Sequence, residues 1–207
     1  LGPISVWPQC LRTAVDIVLR SPAALVMLWG PDGVMIYNDA YSVFAGSRHP
    51  QLLGSKVLEG WPEVADLNRR VLDVCLRGET LSFRNEHLVL YRRGRPEDLW
   101  LDLDYSPLLD ETGAPAGVLA IVVETTERFR AESALRESEA QFRTFASVIP
   151  NHVWAAGPDG KLNWFNQQVH EYTGAGAGEL DGDRWGAVVH PEDVDRAVGR
   201  LPDLRAR

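Results

Sequence analysis

Cysteine and positive charge are both scarce in this chain, and no apolar run is long. Each shortage removes a class of function. Two cysteines in 207 residues, Cys10 and Cys75, are too few and too far apart for a disulfide framework or a zinc cluster. That usage fits a reducing compartment, and a cytoplasmic location is expected. A net charge of −8 offers no basic surface to nucleic acid or to an anionic membrane, so neither is an expected partner. The longest apolar runs, residues 23–29 and 118–123, are strand-sized, well short of the ~18 residues that a membrane span needs. No basic segment followed by an apolar core marks a signal peptide. The five histidines (His49, His87, His152, His170 and His190) include no pair at helical ligand spacing, so no metal is expected. There is no P-loop, and no Ser, His and Asp stand in an order that suggests a nucleophilic triad. By its own residues the chain reads as non-catalytic.

One local absence is informative in the opposite sense. Residues 126–149 contain neither glycine nor proline, between Gly117 behind and Pro150 ahead. Thr126 can cap the start, and Glu127 places negative charge at the first turn. Glu132 with Arg136 and Glu139 with Arg143 are i,i+4 pairs in the favourable order. Ala131, Leu135, Ser138, Phe142, Phe145 and Ile149 recur at spacings of four and three, a short heptad seam. The rod would be roughly 35 Å long. It reads as a self-pairing helix with Leu135, Phe142 and Phe145 as the dimer seam, or else as an amphipathic surface helix.

Ahead of the rod, residues 11–19 read as a short amphipathic helix. Residues 24–29 and 34–37 are strands joined at the tight turn Pro31-Asp32-Gly33. Asn38-Asp39 opens a helix that ends at Gly46. Residues 65–77 form a helix with Leu67, Val71, Leu72, Val74 and Cys75 on one face. Strands follow at 81–91, 99–109 and 117–124, with a charged turn over 92–98. Hairpins dominate, so the expected fold is α+β: a five-stranded antiparallel sheet with helices on one face.

The pattern then restarts. Gly30-Pro31-Asp32-Gly33 returns as Gly157-Pro158-Asp159-Gly160, Tyr37-Asn38 as Phe165-Asn166, and Gly46 as Gly174. The second copy spans fewer residues than the first and lacks counterparts of the last three strands. It is therefore expected to belong to a longer protein or a truncated one, with a frayed tail over 196–207. Gly174-Ala175-Gly176-Ala177-Gly178 follows a helix rather than a strand, so it reads as a helix-ending loop and not a dinucleotide site.

These residues carry a resemblance. The chain is similar to tandem PAS domains of bacterial sensor histidine kinases, over about residues 22–195. The marks are the Gly-Pro-Asp-Gly hairpins, Tyr37-Asn38 and Phe165-Asn166 before short helices, and the Val-Val-His-Pro-Glu-Asp run at 188–193. Glu124-Thr125-Thr126-Glu127-Arg128 looks like the Asp-Ile-Thr-Glu-Arg at which PAS sheets hand over to a helix, with Glu for Asp and Thr for Ile. The resemblance implies a lead-in helix at 1–21, a first PAS domain at 22–124, a linker helix at 125–149 and a partial second copy at 150–207.

It further implies a sensory and dimerisation region of a two-component protein. Glu124 and Thr126 would transfer the signal, the linker helix would pair two chains, and a kinase or other output domain would lie downstream in the same protein. Tyr41, Phe44, Trp61, Val71 and Cys75 are candidates to line a pocket in the first domain, which is either a filled core or a cavity for an unidentified small ligand. No haem, flavin or metal is expected. The haem-binding histidine of the family has no counterpart on 65–77, and the reactive cysteine motif of light-sensing relatives is missing, so Cys75 reads as core. A ligand-free interaction scaffold and a chromophore-bearing sensor are the alternatives.

Overall fold

The computed structural model describes residues 2–194. The expected frayed tail over 196–207 lies outside the described residues. The chain divides into two compact units, residues 1–131 and 132–207.

In the first unit a lead-in helix α1 (Gln9–Arg20) precedes β1 (Ala24–Trp29) and β2 (Val34–Tyr37). Then come the helices α2 (Asp39–Ala45), α3 (Val57–Gly60) and α4 (Ala65–Cys75), followed by β3 (Leu81–Leu90), β4 (Glu97–Leu109) and β5 (Pro115–Glu124). Every strand pairing is antiparallel, and the order across the five-stranded sheet is β2-β1-β5-β4-β3. β1 therefore lies at the sheet's interior, with Met27 paired to Ile36 on one side and Leu119 on the other. The α+β architecture read from the hairpins is the one found.

Each strand has two differently covered faces, as a period of two requires. Val26, Leu28, Leu101, Leu103, Val118 and Val122 point toward α2–α4 and join Tyr41, Trp61, Val71, Leu72 and Cys75 in the main core. Leu25, Met27 and Ile36 point the other way and are covered by Leu11 and Val18 of α1. The lead-in helix thus adds a second, smaller core on the far side of the sheet.

The expected helix 65–77 ends two residues earlier, at Cys75, and the chain leaves it through Gly78 at φ +93°. Its buried positions are Asn68, Val71, Leu72 and Cys75. Val74 is only partly buried, because the stripe 68-71-72-75 is centred away from it. At the first hairpin, Gly33 adopts φ +61°, and a Cβ there would lie 2.8 Å from Val57 Cγ1. That position accepts no other residue without displacing α3.

Asn38, 2% exposed, organises the corner where α1, β1, β2 and α2 meet. Its Oδ1 accepts from Tyr41 N at 3.0 Å, capping α2, and from Leu25 N at 3.2 Å. Its Nδ2 donates to the carbonyls of Val18, Ser21 and Ala23 at 3.1, 3.0 and 2.7 Å. One carboxamide thereby ties the end of the incoming helix to the first strand and to the next helix.

The helix α5 (Thr126–Val148) starts in the first unit and continues into the second, ending one residue before the expected limit. In the second unit a two-stranded sheet, β6 (Trp154–Ala156) with β7 (Leu162–Phe165), leads into α6 (Gln167–Thr173). Asn166, 1% exposed, repeats the corner there. Its Oδ1 accepts from Val153 N at 3.0 Å, and its Nδ2 donates to Ala146 O at 2.8 Å and Asn151 O at 2.9 Å. Unlike Asn38, it does not cap the helix it precedes.

Asn38→Ala strips five partners of their bonds at a site closed to water. We expect a loss of about 2–4 kcal/mol, since each stranded buried group costs of the order of 1 kcal/mol or more. Urea unfolding of the full chain, followed by tryptophan fluorescence, measures it.

Candidate functional site

The helices α2–α4 and the inner face of the sheet enclose a cavity of about 50 Å³. Of the pocket candidates, Tyr41, Phe44 and Trp61 border it. Val71 and Cys75 are fully buried in the same core but do not reach the cavity. The core is mostly filled, with a small void left.

Two polar residues that sequence reasoning missed also border the cavity, Asn68 on α4 and Tyr105 on β4. Their signals were present. Asn68 stands three, four and seven residues before Val71, Leu72 and Cys75, on the same stripe. Tyr105 continues the inward alternation of Leu99, Leu101 and Leu103. Trp61 Nε1 donates to the Tyr41 hydroxyl at 3.1 Å. Burial holds the Tyr41 and Tyr105 hydroxyls well above the ordinary phenol range, so both remain protonated donors. Burial also pushes the Cys75 thiol up, with the charge of Glu79 adding to it. A thiol held protonated in a closed core is inert, as its position on the apolar face suggested.

A chain of contacts leads from this cavity to the end of the sheet. Phe44 accepts at its carbonyl from Arg92 Nη1 at 3.3 Å, and the guanidinium sits 5.0 Å from the Phe44 ring. Arg92 Nη1 also donates to Glu124 Oε2 at 2.7 Å, and Nη2 to Glu97 Oε2 at 3.1 Å. The Arg92 side chain is only 6% exposed. The charged turn expected over 92–98 thus carries a buried cation. Two carboxylates and an aromatic face compensate the cation, so Arg92 turns inward. Its Nε and Glu97 Oε1 are the atoms of the cluster left without partners.

The start of α5 is held by β4. Thr125 N and Oγ1 donate to Trp100 O at 2.8 and 3.1 Å, and Thr126 Oγ1 accepts from Trp100 N at 3.1 Å. Thr126 is therefore not the helix cap that was expected: its hydroxyl is committed to the strand, extending the sheet's hydrogen bonding into the first turn. The Trp100 and Phe129 rings stack at 4.5 Å and 12°. Arg130 Nη2 donates to Asp98 O at 3.2 Å. Opposite, the β3 bulge between Phe83 and Glu86 places Asn85 at φ +49°, where its Oδ1 accepts from Thr125 Oγ1 at 3.2 Å.

The candidate dimer seam lies further along α5. Leu135, Phe142 and Phe145 are 61%, 51% and 66% exposed. Phe142 contacts Trp164, with ring centroids 5.4 Å apart, and the inward-facing residue of this stretch is Ala146. Among the described residues no group of His, Cys, Asp and Glu could hold a metal ion, and no helix is long and apolar enough to cross a membrane.

Arg92→Met leaves Glu124 without its cation and Glu97 with only Arg93, 4.0 Å away. We expect a loss of about 3–5 kcal/mol, the usual cost of removing one partner of a buried ion pair. Restoring neutrality with Glu97→Gln and Glu124→Gln in the same chain should recover part of it. Denaturant melts of the single and triple variants check this.

Over 87 residues, 41% of this chain, the sequence is 34% identical to an uncharacterised protein, y4lL, of Sinorhizobium fredii, and the matched region is 10% of that protein's length. Among solved structures, the PAS domain of Bordetella pertussis BvgS is similar at 20% identity, covering 63% of this chain and 97% of that one, with a TM-score of 0.46. A light-oxygen-voltage protein of Rhodobacter sphaeroides is similar at 21% identity, covering 56% of this chain and 67% of that one, with a TM-score of 0.42. The model of the PAS fold matches residues 19–130, more than half of the sequence and all of the five-stranded sheet, and the chain belongs to the PAS family.

Proposed function

We propose that this chain is the sensory and dimerisation region of a two-component signalling protein, in which the PAS domain passes a signal through α5 to an output domain, a histidine kinase in this reading, elsewhere in the same cytoplasmic protein. The observation that carries the reading is the grip of β4 on the first turn of α5. Thr125 and Thr126 bond to both backbone groups of Trp100, and Phe129 stacks on its ring. A change at Phe44 in the cavity wall reaches the same place by way of Arg92 and Glu124. The signal is then a shift between two packings of one junction, driven by whatever binds one packing better.

The second unit supports the tandem reading. Asn166 bonds to Val153, Ala146 and Asn151 as Asn38 bonds to Leu25, Val18 and Ala23, with a constant offset of 128 between the paired numbers. The exposed stripe of α5 supports pairing of two chains, because Leu135 and Phe145 find no partner among the described residues that buries them. A scaffold that dimerises without a ligand would use the same stripe and leave the cavity idle.

Phe142 already rests on Trp164, so Leu135→Glu with Phe145→Glu is the cleaner test of the seam. Each Glu would meet an apolar interface at a cost of several kcal/mol unless paired. We expect the wild type to sediment as a dimer and the double variant as a monomer, with the thermal transition of the PAS core retained by circular dichroism. A dimer that survives the double substitution would reduce α5 to a linker.

A further inference from the structure

The cavity has a chemical preference that its size and lining define. We infer that it is a site for an uncharged molecule of about four or five non-hydrogen atoms that offers a hydrogen-bond acceptor, with Asn68 as the residue that selects it. The inference rests on the proposal above that the first domain is a ligand-responsive sensor, and it adds the class of ligand.

About 50 Å³ is room for roughly four water-sized atoms, at 10–15 Å³ each. Most of the wall is aliphatic, including Val26, Leu28, Leu101 and Leu103. Into this apolar space project three polar side chains, Tyr41, Asn68 and Tyr105, which are 4%, 7% and 6% exposed. The Tyr41 oxygen already accepts from Trp61, so its own proton has no acceptor among the described residues. Neither the Asn68 carboxamide nor the Tyr105 hydroxyl has a hydrogen-bond partner among the described residues. More than nine-tenths buried and unpartnered, Asn68 occupies a position on the α4 stripe where Leu would simply complete the core.

Charge is excluded by the same inventory. None of the residues that line the cavity carries a charge, so an anion or a cation would enter without compensation. Burial keeps both tyrosine hydroxyls protonated, and they can only help as donors. The free groups are therefore rich in protons: two hydroxyls and an amide NH₂, against the Asn68 carbonyl and the Tyr105 oxygen as acceptors. A neutral carbonyl or ether oxygen carried on a small apolar body matches that balance. Selectivity arises from the unpaired groups, because an apolar isostere would leave them stranded.

The test uses the full chain, ¹⁵N-labelled, titrated with acetone and with its near-isosteres acetate and isobutene. Acetone should shift the Asn68 side-chain NH₂ resonances saturably and raise the melting temperature. Isobutene should bind about tenfold more weakly, the worth of one good hydrogen bond, and acetate should not bind. Asn68→Leu should lose acetone binding. Tyr105→Phe removes one oxygen without touching the helix, and should weaken acetone while leaving isobutene unchanged; it decides the matter if the Leu variant fails to fold. Equal or tighter binding of isobutene or acetate would overturn the inference. So would acetone binding that ignores Asn68 and Tyr105. No saturable response to any probe would overturn it too, and would mean that the void holds water only. None of these failures touches the proposed pairing of two chains through α5, which sedimentation of the Leu135→Glu, Phe145→Glu variant tests by itself.

Discussion

A guanidinium is among the most expensive groups to remove from water, and this fold removes one. Arg92 can stay inside only while Glu97, Glu124, the Phe44 carbonyl and the Phe44 ring are all in place. Its backbone is committed as well. The Arg92 carbonyl accepts from Ser47 N at 2.9 Å and from Ser47 Oγ at 2.7 Å. A Cβ on Gly46 would stand 2.9 Å from that same oxygen, so the α2 terminus can approach only as glycine. The end of α2, the turn between β3 and β4, and the last residue of β5 are bound into one body by a single charge.

The cavity and the junction use opposite strategies toward polar groups. At the junction nearly every donor and acceptor is matched, from the Thr125 amide to the Thr126 hydroxyl. In the cavity three polar side chains are buried with their bonding incomplete. A satisfied network is rigid, whereas an incomplete one leaves donors and acceptors free to take a further partner.

Period and turn chemistry made most of the fold legible in the amino-acid sequence. The strands around Pro31-Asp32-Gly33, the helix opened by Asn38, the α4 stripe and the antiparallel sheet are all consequences of apolar spacing and of glycine at tight turns. Side chains whose role depends on distant partners were not legible. Arg92 stands in the charged run Arg92-Arg93-Gly94-Arg95, and nothing local shows that Glu124 will come within 2.7 Å of it. Thr126 looked like a cap because threonine at the head of a helix usually is one. The strand that competes for its hydroxyl lies about 26 residues earlier in the chain. Asn68 was a different failure. Its spacing was correct, but its polarity set it apart from a stripe defined by hydrophobicity alone.

Each unit takes hold of α5 at a fixed place. In the first, β4 grips the helix at Thr126 and Phe129; in the second, Asn166 grips it at the Ala146 carbonyl. A helix advances about 100° per residue, so the number of residues between the two grips sets an angle before it sets a length. Adding a single residue there would turn one grip by more than a quarter of a circle relative to the other, while adding seven would bring it back to within about 20°. Lengthening this helix in steps of two turns would therefore preserve the faces that the two grips hold, whereas a single inserted residue would displace one of them by about 100°.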